Sequence, residues 1–142
     1  MGRKPSLTIE RRLAASPATV YRAWTDPAQI ARWWGPNVGD TSRAEMDVRV
    51  GGRFKVVTDA ADSDRHEVSG VYREVVPNRK LVFTWAWRTT PERESLVTID
   101  ITPDGDATLL TLTHEQLFDE AVRDRHATGW STALDKLESL VG

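Results

Sequence analysis

The sequence predicts an α+β fold in which a curved antiparallel sheet of six to seven strands covers a long C-terminal helix. Between residues 41 and 115, apolar residues recur with period two between regularly spaced turn signals, as in an antiparallel meander. Between Asp119 and Val141 the apolar period becomes 3.6, which is that of an amphipathic helix. Because the helix must bury its apolar stripe and the sheet must cover one face, the simplest arrangement lays the helix across the sheet.

The first part of the chain predicts one strand and two short helices. Residues 7–14 (LTIERRLA) alternate apolar and polar side chains, which indicates a half-buried strand that joins the sheet. A Ser-Pro pair at Ser16 and an Asp-Pro pair at Asp26 each supply a helix N-cap followed by a proline at the first helical position. The second helix, PAQIARWW, is expected to end before the Gly-Pro pair at Gly35.

Six further strands are predicted between the turn signals. They are AEMDVRV (44–50), RFKVVTD (53–59), HEVSGVYREVV (66–76), KLVFTWAWR (80–88), SLVTIDIT (95–102) and TLLTLTHE (108–115). The fourth of these places four large side chains on one face: Leu81, Phe83, Trp85 and Trp87. A flat contact with a helix needs fewer large residues, so we expect a strongly curved sheet that leaves room between itself and the helix.

The last segment predicts a helix with one apolar face. Seven residues at helical spacing form this face: Val122, His126, Trp130, Ala133, Leu134, Leu137 and Val141. No internal repeat, linker or low-complexity segment interrupts the sequence. We therefore expect a single domain over residues 1–142, with residues 1–5 as a flexible N-terminus.

Composition and charge disfavour several classes of function. The 142-residue chain has a formal net charge of -2 and no basic run, so neither nucleic acid nor an anionic membrane surface is an expected partner. It contains no cysteine, which excludes disulfides and thiolate metal sites. No stretch has the pattern of a signal peptide or of a membrane span, and a cytoplasmic protein is therefore expected.

The sequence also lacks the common motifs for metals and cofactors. Its three histidines, His66, His114 and His126, have neither the i, i+4 spacing nor the HExxH pattern of a metal site, so no metal is expected. It has no dinucleotide fingerprint, phosphate loop or GxSxG motif, so no cofactor is expected either.

Five segments carry a resemblance to a known family. They are SPATVYRAWTDPAQIARWWGP, MDVRVGGRF, GVYREVVPNRKLVFTW, SLVTIDITPDGDATLLTLTHE and HATGWSTALDKLESLV. In order and spacing they are similar to the bacterial single-domain members of the family of activator of heat-shock chaperone ATPase homologues. That family lies within the START-like (SRPBCC, polyketide cyclase/lipid transport) superfamily. The resemblance covers the chain from about Leu7 to Leu140.

The resemblance implies a helix-grip fold, a START-like or Bet v 1-like sheet wrapped around the C-terminal helix. It also implies a hydrophobic cavity that holds an apolar molecule, and a few superfamily members are cyclases or hydrolases. The eukaryotic namesake stimulates the chaperone ATPase with an additional N-terminal domain, for which this chain has no room. A chaperone interaction is therefore not the favoured expectation.

Strand parity, the helix stripe and the expected cavity together indicate twelve candidate ligand-binding residues. They are Trp34, Met46, Phe54, Tyr72, Phe83, Trp85, Trp87, Val97, His114, His126, Trp130 and Leu134. If the protein is an enzyme, an inward histidine beside an aromatic pocket is the expected general base, so His114 and His126 are the candidate catalytic residues. The alternative is that each is a hydrogen-bonded structural histidine.

The adjacent Trp33 and Trp34 have two interpretations. Both indoles plug the open end of the sheet, or one of them, Trp34, forms the rim of the cavity mouth. Indole suits a rim because its ring is apolar while its N–H is a hydrogen-bond donor.

Three functions are compatible with these features. The favoured one is the binding of a small hydrophobic or aromatic molecule between the sheet and the C-terminal helix. The second is an enzyme of the polyketide cyclase, aromatase or hydrolase kind, and the third is a protein-binding module that acts on a chaperone. A binding protein is favoured over an enzyme, and no sequence feature distinguishes a monomer from a homodimer.

Overall fold

A computed structural model describes residues 4–34, 41–59 and 65–141 of the protein, and these ranges contain seven strands and three helices. In chain order the elements are β1 (Leu7–Leu13), α1 (Pro17–Thr25), α2 (Pro27–Trp33), β2 (Thr41–Met46), β3 (Arg53–Asp59), β4 (Arg65–Val76), β5 (Lys80–Trp87), β6 (Ser95–Asp104), β7 (Ala107–Glu115) and α3 (Glu120–Val141). The predicted α+β helix-grip fold is confirmed: a curved antiparallel sheet is covered by a long C-terminal helix.

The strands form one sheet in the order β1-β7-β6-β5-β4-β3-β2, and every neighbouring pair is antiparallel. From β2 to β7 this is the predicted meander, because each strand pairs with the next along the chain. Strand β1 pairs with β7, with Leu7 opposite His114 and Leu13 opposite Thr108, which confirms that the first strand joins the same sheet.

The sheet is irregular where β4 and β5 meet. The register shifts between Tyr72 and Glu74, and the backbone N–H of Val71 donates to the hydroxyl of Thr84 at 2.8 Å. Gly70 lies at the same place, and a Cβ atom there would overlap the carbonyl oxygen of Thr84. This close approach and the shifted register are the local sources of curvature, since irregular pairing bends a strand and increases its twist.

The two short helices begin where their caps predict. The side chain of Ser16 accepts a hydrogen bond from the backbone N–H of Thr19 at 3.2 Å, and that of Asp26 accepts from Ala28 at 2.9 Å. Helix α2 ends at Trp33, and the predicted stop at Gly35 lies outside the described residues. The two helices therefore follow from local capping alone.

Helix α3 buries the middle of its predicted stripe, and Val141 at the end of the stripe is half-buried. The residues that it buries are Trp130, Ala133, Leu134 and Leu137. An ion pair between Arg11 Nη1 and Asp135 Oδ1 at 2.6 Å fastens the helix to β1, and Lys136 Nζ donates to the carbonyl oxygen of Trp34 at 3.3 Å. The upper part of the stripe, Val122 and His126, is only half-buried, because it faces a cavity.

One strand prediction is wrong in its bounds. The period-two pattern predicts a strand over 44–50, whereas β2 runs from Thr41 to Met46. The chain turns after Met46: the N–H of Arg49 donates to the carbonyl of Asp47, and Val50 is 67% exposed. The alternation continues into this turn without a partner strand to pair with, so the apolar period overstates the length of the strand.

Candidate ligand-binding site

A cavity of about 430 Å³ opens between the end of β5 and the first half of α3. The loop between β5 and β6 and the segment between β7 and α3 complete its wall. Its volume lies within the range of small-molecule sites, which is roughly 300–1,000 Å³. The site is therefore at one end of the sheet rather than under its centre.

Four tryptophans form a continuous aromatic wall of this cavity: Trp34, Trp85, Trp87 and Trp130. Trp85 is central, because its ring centroid lies 5.5 Å from that of Trp34, 5.4 Å from that of Trp87 and 5.1 Å from that of Trp130. The buried Nε1–H of Trp85 has no acceptor among the described residues. Trp34 directly follows α2, while Trp85 lies on β5 and Trp130 on α3, so only the folded chain brings these rings together.

His114 lies behind the aromatic wall in a hydrogen-bonded chain. The indole Nε1–H of Trp130 donates to His114 Nδ1 at 3.1 Å, and His114 Nε2 lies 2.7 Å from the hydroxyl of Ser95. An indole N–H can only donate, so Nδ1 is the acceptor and the proton of the neutral ring is on Nε2. Nε2–H then donates to Ser95, whose hydroxyl donates to the carbonyl of Trp85 at 3.3 Å. Every polar atom of the fully buried His114 ring is satisfied.

Ser95 and His114 lie as close together as a catalytic nucleophile and its base, but the hydrogen bond between them runs in the opposite direction. A general base must accept the serine proton at Nε2, whereas Trp130 keeps the proton of His114 on that atom. Burial, with the nearby His126 second, lowers the pKa of His114 well below 6.5. The arrangement thus favours a structural His114 over a catalytic one.

His126 lines the cavity, and both of its ring nitrogens also have hydrogen-bond partners. Trp87 Nε1–H donates to His126 Nε2 at 3.1 Å, so the proton of the neutral ring is on Nδ1, which lies 2.8 Å from the carbonyl oxygen of Val122. Burial lowers the pKa of His126, while the Val122 carbonyl raises it and the positive charge of Arg125 lowers it. Protonation of Nε2 would break the bond from Trp87, so the network stabilises the neutral ring.

From the lowered pKa values of these two histidines, we predict that the protein loses stability in mild acid. Above about pH 6.5 both rings are neutral in the folded and the unfolded chain, so they add no pH dependence. Below it, the unfolded chain binds protons that the folded chain excludes. We expect the free energy of unfolding to fall as the pH is lowered from 6.5, by up to about 1.4 kcal/mol per pH unit for each ring that stays neutral.

Urea unfolding between pH 8 and pH 5 measures this slope. The variant His114→Gln supplies the matched comparison, because an amide also accepts from Trp130 and donates to Ser95 but does not titrate. The variant is expected to lose the share of the slope due to His114. An unchanged slope in this variant would show that His114 is not held neutral.

A second space, of about 10 Å³, lies under the centre of the sheet. Its neighbours include Met46, Phe54, Tyr72 and Phe83, and the rings of Phe54 and Phe83 pack edge to face at 5.1 Å. This volume holds at most one water molecule. Trp34 borders both spaces and therefore stands between the packed centre and the open cavity.

Residues 14–142 match the model of the family described as Activator of Hsp90 ATPase homolog 1-like protein. The chain belongs to this family. The START-like resemblance found in the sequence is confirmed, and the fold suggests a ligand-binding module. The chain has no match among curated proteins.

Solved structures of similar proteins have the same fold. The crystal structure of CV1439 from Chromobacterium violaceum has a TM-score of 0.87 at 30% identity, with 96% of each chain covered. The AHSA1 protein from Silicibacter pomeroyi has a TM-score of 0.83 at 32% identity, with 95% of this chain and 96% of that chain covered. CalU16 from Micromonospora echinospora has a TM-score of 0.76 at 30% identity, with 99% of this chain and 78% of that chain covered. The family's fold thus extends over the whole described chain.

In this family member the cavity brings together five of the twelve candidate residues. They are Trp34, Trp85, Trp87, His126 and Trp130. Four others surround the packed second space: Met46, Phe54, Tyr72 and Phe83. The remaining three, Val97, His114 and Leu134, are fully buried in the core. Ligand contact by any of the twelve stays a prediction.

The two adjacent tryptophans at the end of α2 occupy different environments. Trp33 is 0% exposed and its Nε1–H donates to the carbonyl of Ala23 at 2.9 Å, so it is part of the core. Trp34 is 7% exposed and lines the cavity. Trp33 is thus a core residue, while Trp34 belongs to the wall of the cavity.

Several cavity residues were not among the sequence candidates. Leu117, Phe118 and Arg93 lie in connecting segments, where no apolar period indicates which side chains face inward. Gly129 and Ala133 lie on α3 within the register of Val122, His126 and Trp130, so helical spacing from those residues is the signal that finds them.

Two findings limit other kinds of site within the described ranges. No group of three or more His, Cys, Asp or Glu residues there is placed to hold a metal ion. No helix in those ranges is both long and apolar enough to cross a lipid bilayer.

Proposed function

We propose that the protein binds a small, largely apolar, aromatic molecule in the cavity between the end of β5 and α3. The observation that carries the proposal is the wall of four tryptophan rings around about 430 Å³ of space. Stable cores are packed to the density of organic crystals and leave few voids larger than a water molecule. A cavity of this size with an aromatic wall is therefore best explained by a ligand that fills it.

Affinity for such a ligand would come mainly from burial of its apolar surface. Each Å² removed from water contributes roughly 25 cal/mol before the entropy of association is subtracted. Aromatic pairs add about 0.5–1.5 kcal/mol each when they stack with an offset or meet edge to face. The rings of Trp85 and Trp87 are nearly perpendicular, at 89°, so a planar guest can meet one by its face and the other by its edge.

Binding is favoured over catalysis because both candidate bases are occupied. His114 keeps its proton on the atom that faces Ser95, and both ring nitrogens of His126 have partners within the protein. Neither ring has a free lone pair for a substrate proton. The family description names a chaperone ATPase, but the cavity is the feature of this chain with a specific geometry, and the proposal rests on it.

A pair of neighbouring positions on α3 tests the proposal. Gly129 lines the cavity, whereas Thr128 is exposed and its hydroxyl donates to the carbonyl of Asp124 within the same helix. In Gly129→Met the new side chain occupies the cavity, and in Thr128→Met it points to solvent. Both changes introduce a good helix former, so both variants are expected to fold.

The measurement is titration with N-phenyl-1-naphthylamine, a neutral apolar dye that fluoresces more strongly in apolar surroundings. We expect saturable binding to the wild type and to Thr128→Met, and at least tenfold weaker binding to Gly129→Met. Native mass spectrometry of freshly purified protein then identifies any retained molecule. Equal dye affinity in the two variants, or no saturable binding to the wild type, contradicts the proposal.

A further inference from the structure

Among the residues that the structure describes, the charged side chains that line the cavity are all positive. They are Arg93 and Arg125, and no described aspartate or glutamate belongs to the lining. We propose that the ligand is an anion, namely an aromatic carboxylate whose ring lies among the tryptophans and whose carboxylate meets these two guanidinium groups at the mouth. This inference rests on the proposed function and adds the chemical class of the ligand.

Arg93 is held in place by an aromatic partner that leaves its donors available. Its guanidinium lies 3.7 Å from the ring centroid of Phe118, which is 48% exposed at the cavity. A guanidinium stacked on a ring keeps its N–H groups in its own plane, where they are free for a planar carboxylate. Within the described ranges Arg93 makes no ion pair, although Glu92 and Glu94 flank it in the sequence.

Arg125 belongs to the part of the lining that α3 contributes. Its neighbour Asp124 pairs with Arg123, at 3.1 Å between Arg123 Nε and Asp124 Oδ1, and no ion pair to Arg125 occurs among the described residues. Arg125 lines the cavity next to His126, which also belongs to the lining. Within the described part of the chain, two arginines that make no ion pair thus line the same cavity, one from the loop and one from the helix.

The aromatic wall and the two arginines supply complementary features. The rings of Trp34, Trp85, Trp87 and Trp130 offer apolar contact, and Arg93 and Arg125 offer positive charge. Together they describe the complement of an aromatic acid.

Matched acids and amides test the charge separately from the apolar contact. The probes are benzoate, 2-naphthoate and 4-biphenylcarboxylate, each beside its primary amide, which has the same shape without the charge. Each is used to displace N-phenyl-1-naphthylamine at pH 7.5. For the pair that fits best, we expect the acid to bind at least tenfold more tightly than the amide, and its affinity to fall with added salt.

Single arginine variants test whether Arg93 and Arg125 cause the tighter binding of the acids. Arg93→Gln and Arg125→Gln are each expected to weaken acid binding about fivefold to tenfold while leaving amide binding unchanged within a factor of two. Arg123→Gln is the matched control, because Arg123 lies on the same helix but does not line the cavity and already pairs with Asp124. It should leave both affinities unchanged.

The outcomes separate this inference from the proposed function. If every acid and its amide displace the dye equally, the anion proposal is wrong while the apolar cavity stands. The same holds if Arg123→Gln weakens acid binding as much as the two lining variants do. If the wild type does not bind the dye saturably, the proposed function is contradicted and the anion proposal, which rests on it, is contradicted with it.

Discussion

Replacement of Trp130 by alanine is expected to lower the free energy of unfolding by about 3–5 kcal/mol, because it removes a buried indole from the centre of an aromatic cluster. The Trp130 ring lies 5.1 Å from that of Trp85, 5.5 Å from that of Trp34 and 6.0 Å from that of Trp24. A small domain is stable by only about 5–15 kcal/mol, so this one change consumes a large part of the total.

The same substitution disturbs His114. Without the indole N–H, Nδ1 of His114 loses its donor, which adds roughly 1–3 kcal/mol unless water from the cavity replaces it. The variant Trp130→Phe narrows the cause, since it keeps a benzene ring and removes the N–H donor together with the smaller ring of the indole. We expect it to lose about 1–3 kcal/mol, clearly less than Trp130→Ala.

Urea unfolding of the three proteins at pH 7.5 measures these differences. The ¹⁵N shifts of the His114 imidazole provide a second readout, because they distinguish a ring protonated on Nε2 from one protonated on Nδ1. We expect the Nε2–H form in the wild type and a mixture in Trp130→Phe. Equal urea midpoints for all three proteins would mean that Trp130 is not a core residue.

Replacement of Gly70 by alanine is expected to destabilise the protein by at least about 3 kcal/mol, the upper end of the usual range for overpacking. A Cβ atom at Gly70 would overlap the carbonyl oxygen of Thr84 and lie 2.7 Å from Cε1 of Phe54. A carbonyl oxygen on a paired strand cannot rotate away as a flexible side chain does. Strands β4 and β5 would have to separate at the place where the sheet curves.

Gly105→Ala is the matched control for Gly70→Ala. Gly105 has a φ of 60°, but a Cβ atom there meets nothing within 4 Å. Its replacement therefore carries only the backbone strain of the left-handed region, about 1–2 kcal/mol. Thermal unfolding of both variants compares the two costs. If Gly70→Ala is no less stable than Gly105→Ala, the close approach of β4 to β5 does not constrain this position.

The elements that the sequence predicts well are those that depend on neighbours along the chain. The caps at Ser16 and Asp26 start their helices through bonds to residues two or three positions away. The period of two along β5 and the period of 3.6 along α3 record which side chains are buried, whatever the partner is. The order of the meander follows because short turns pair consecutive strands.

The candidate site was only partly predictable, for reasons of packing. Strand parity correctly places Phe54 and Phe83 on the inner face, but it does not distinguish a packed interior from an empty one, and these two rings fill the centre. Whether space remains depends on how side chains from several elements meet. The loop that carries Arg93 has no apolar period, so no sequence pattern places its side chain at the mouth.

By itself the sequence determined the family, the order of strands and helices, and the faces that they bury. Each of these depends only on the spacing of nearby residues and on the order of motifs along the chain. Only the tertiary structure decided where the cavity lies and what His114 can do. Hydrogen bonds to Trp130 and Ser95, which are 16 and 19 residues away in the chain, determine which ring nitrogen of His114 carries the proton. Such distant contacts form only when the sheet closes on α3, so no local pattern encodes them.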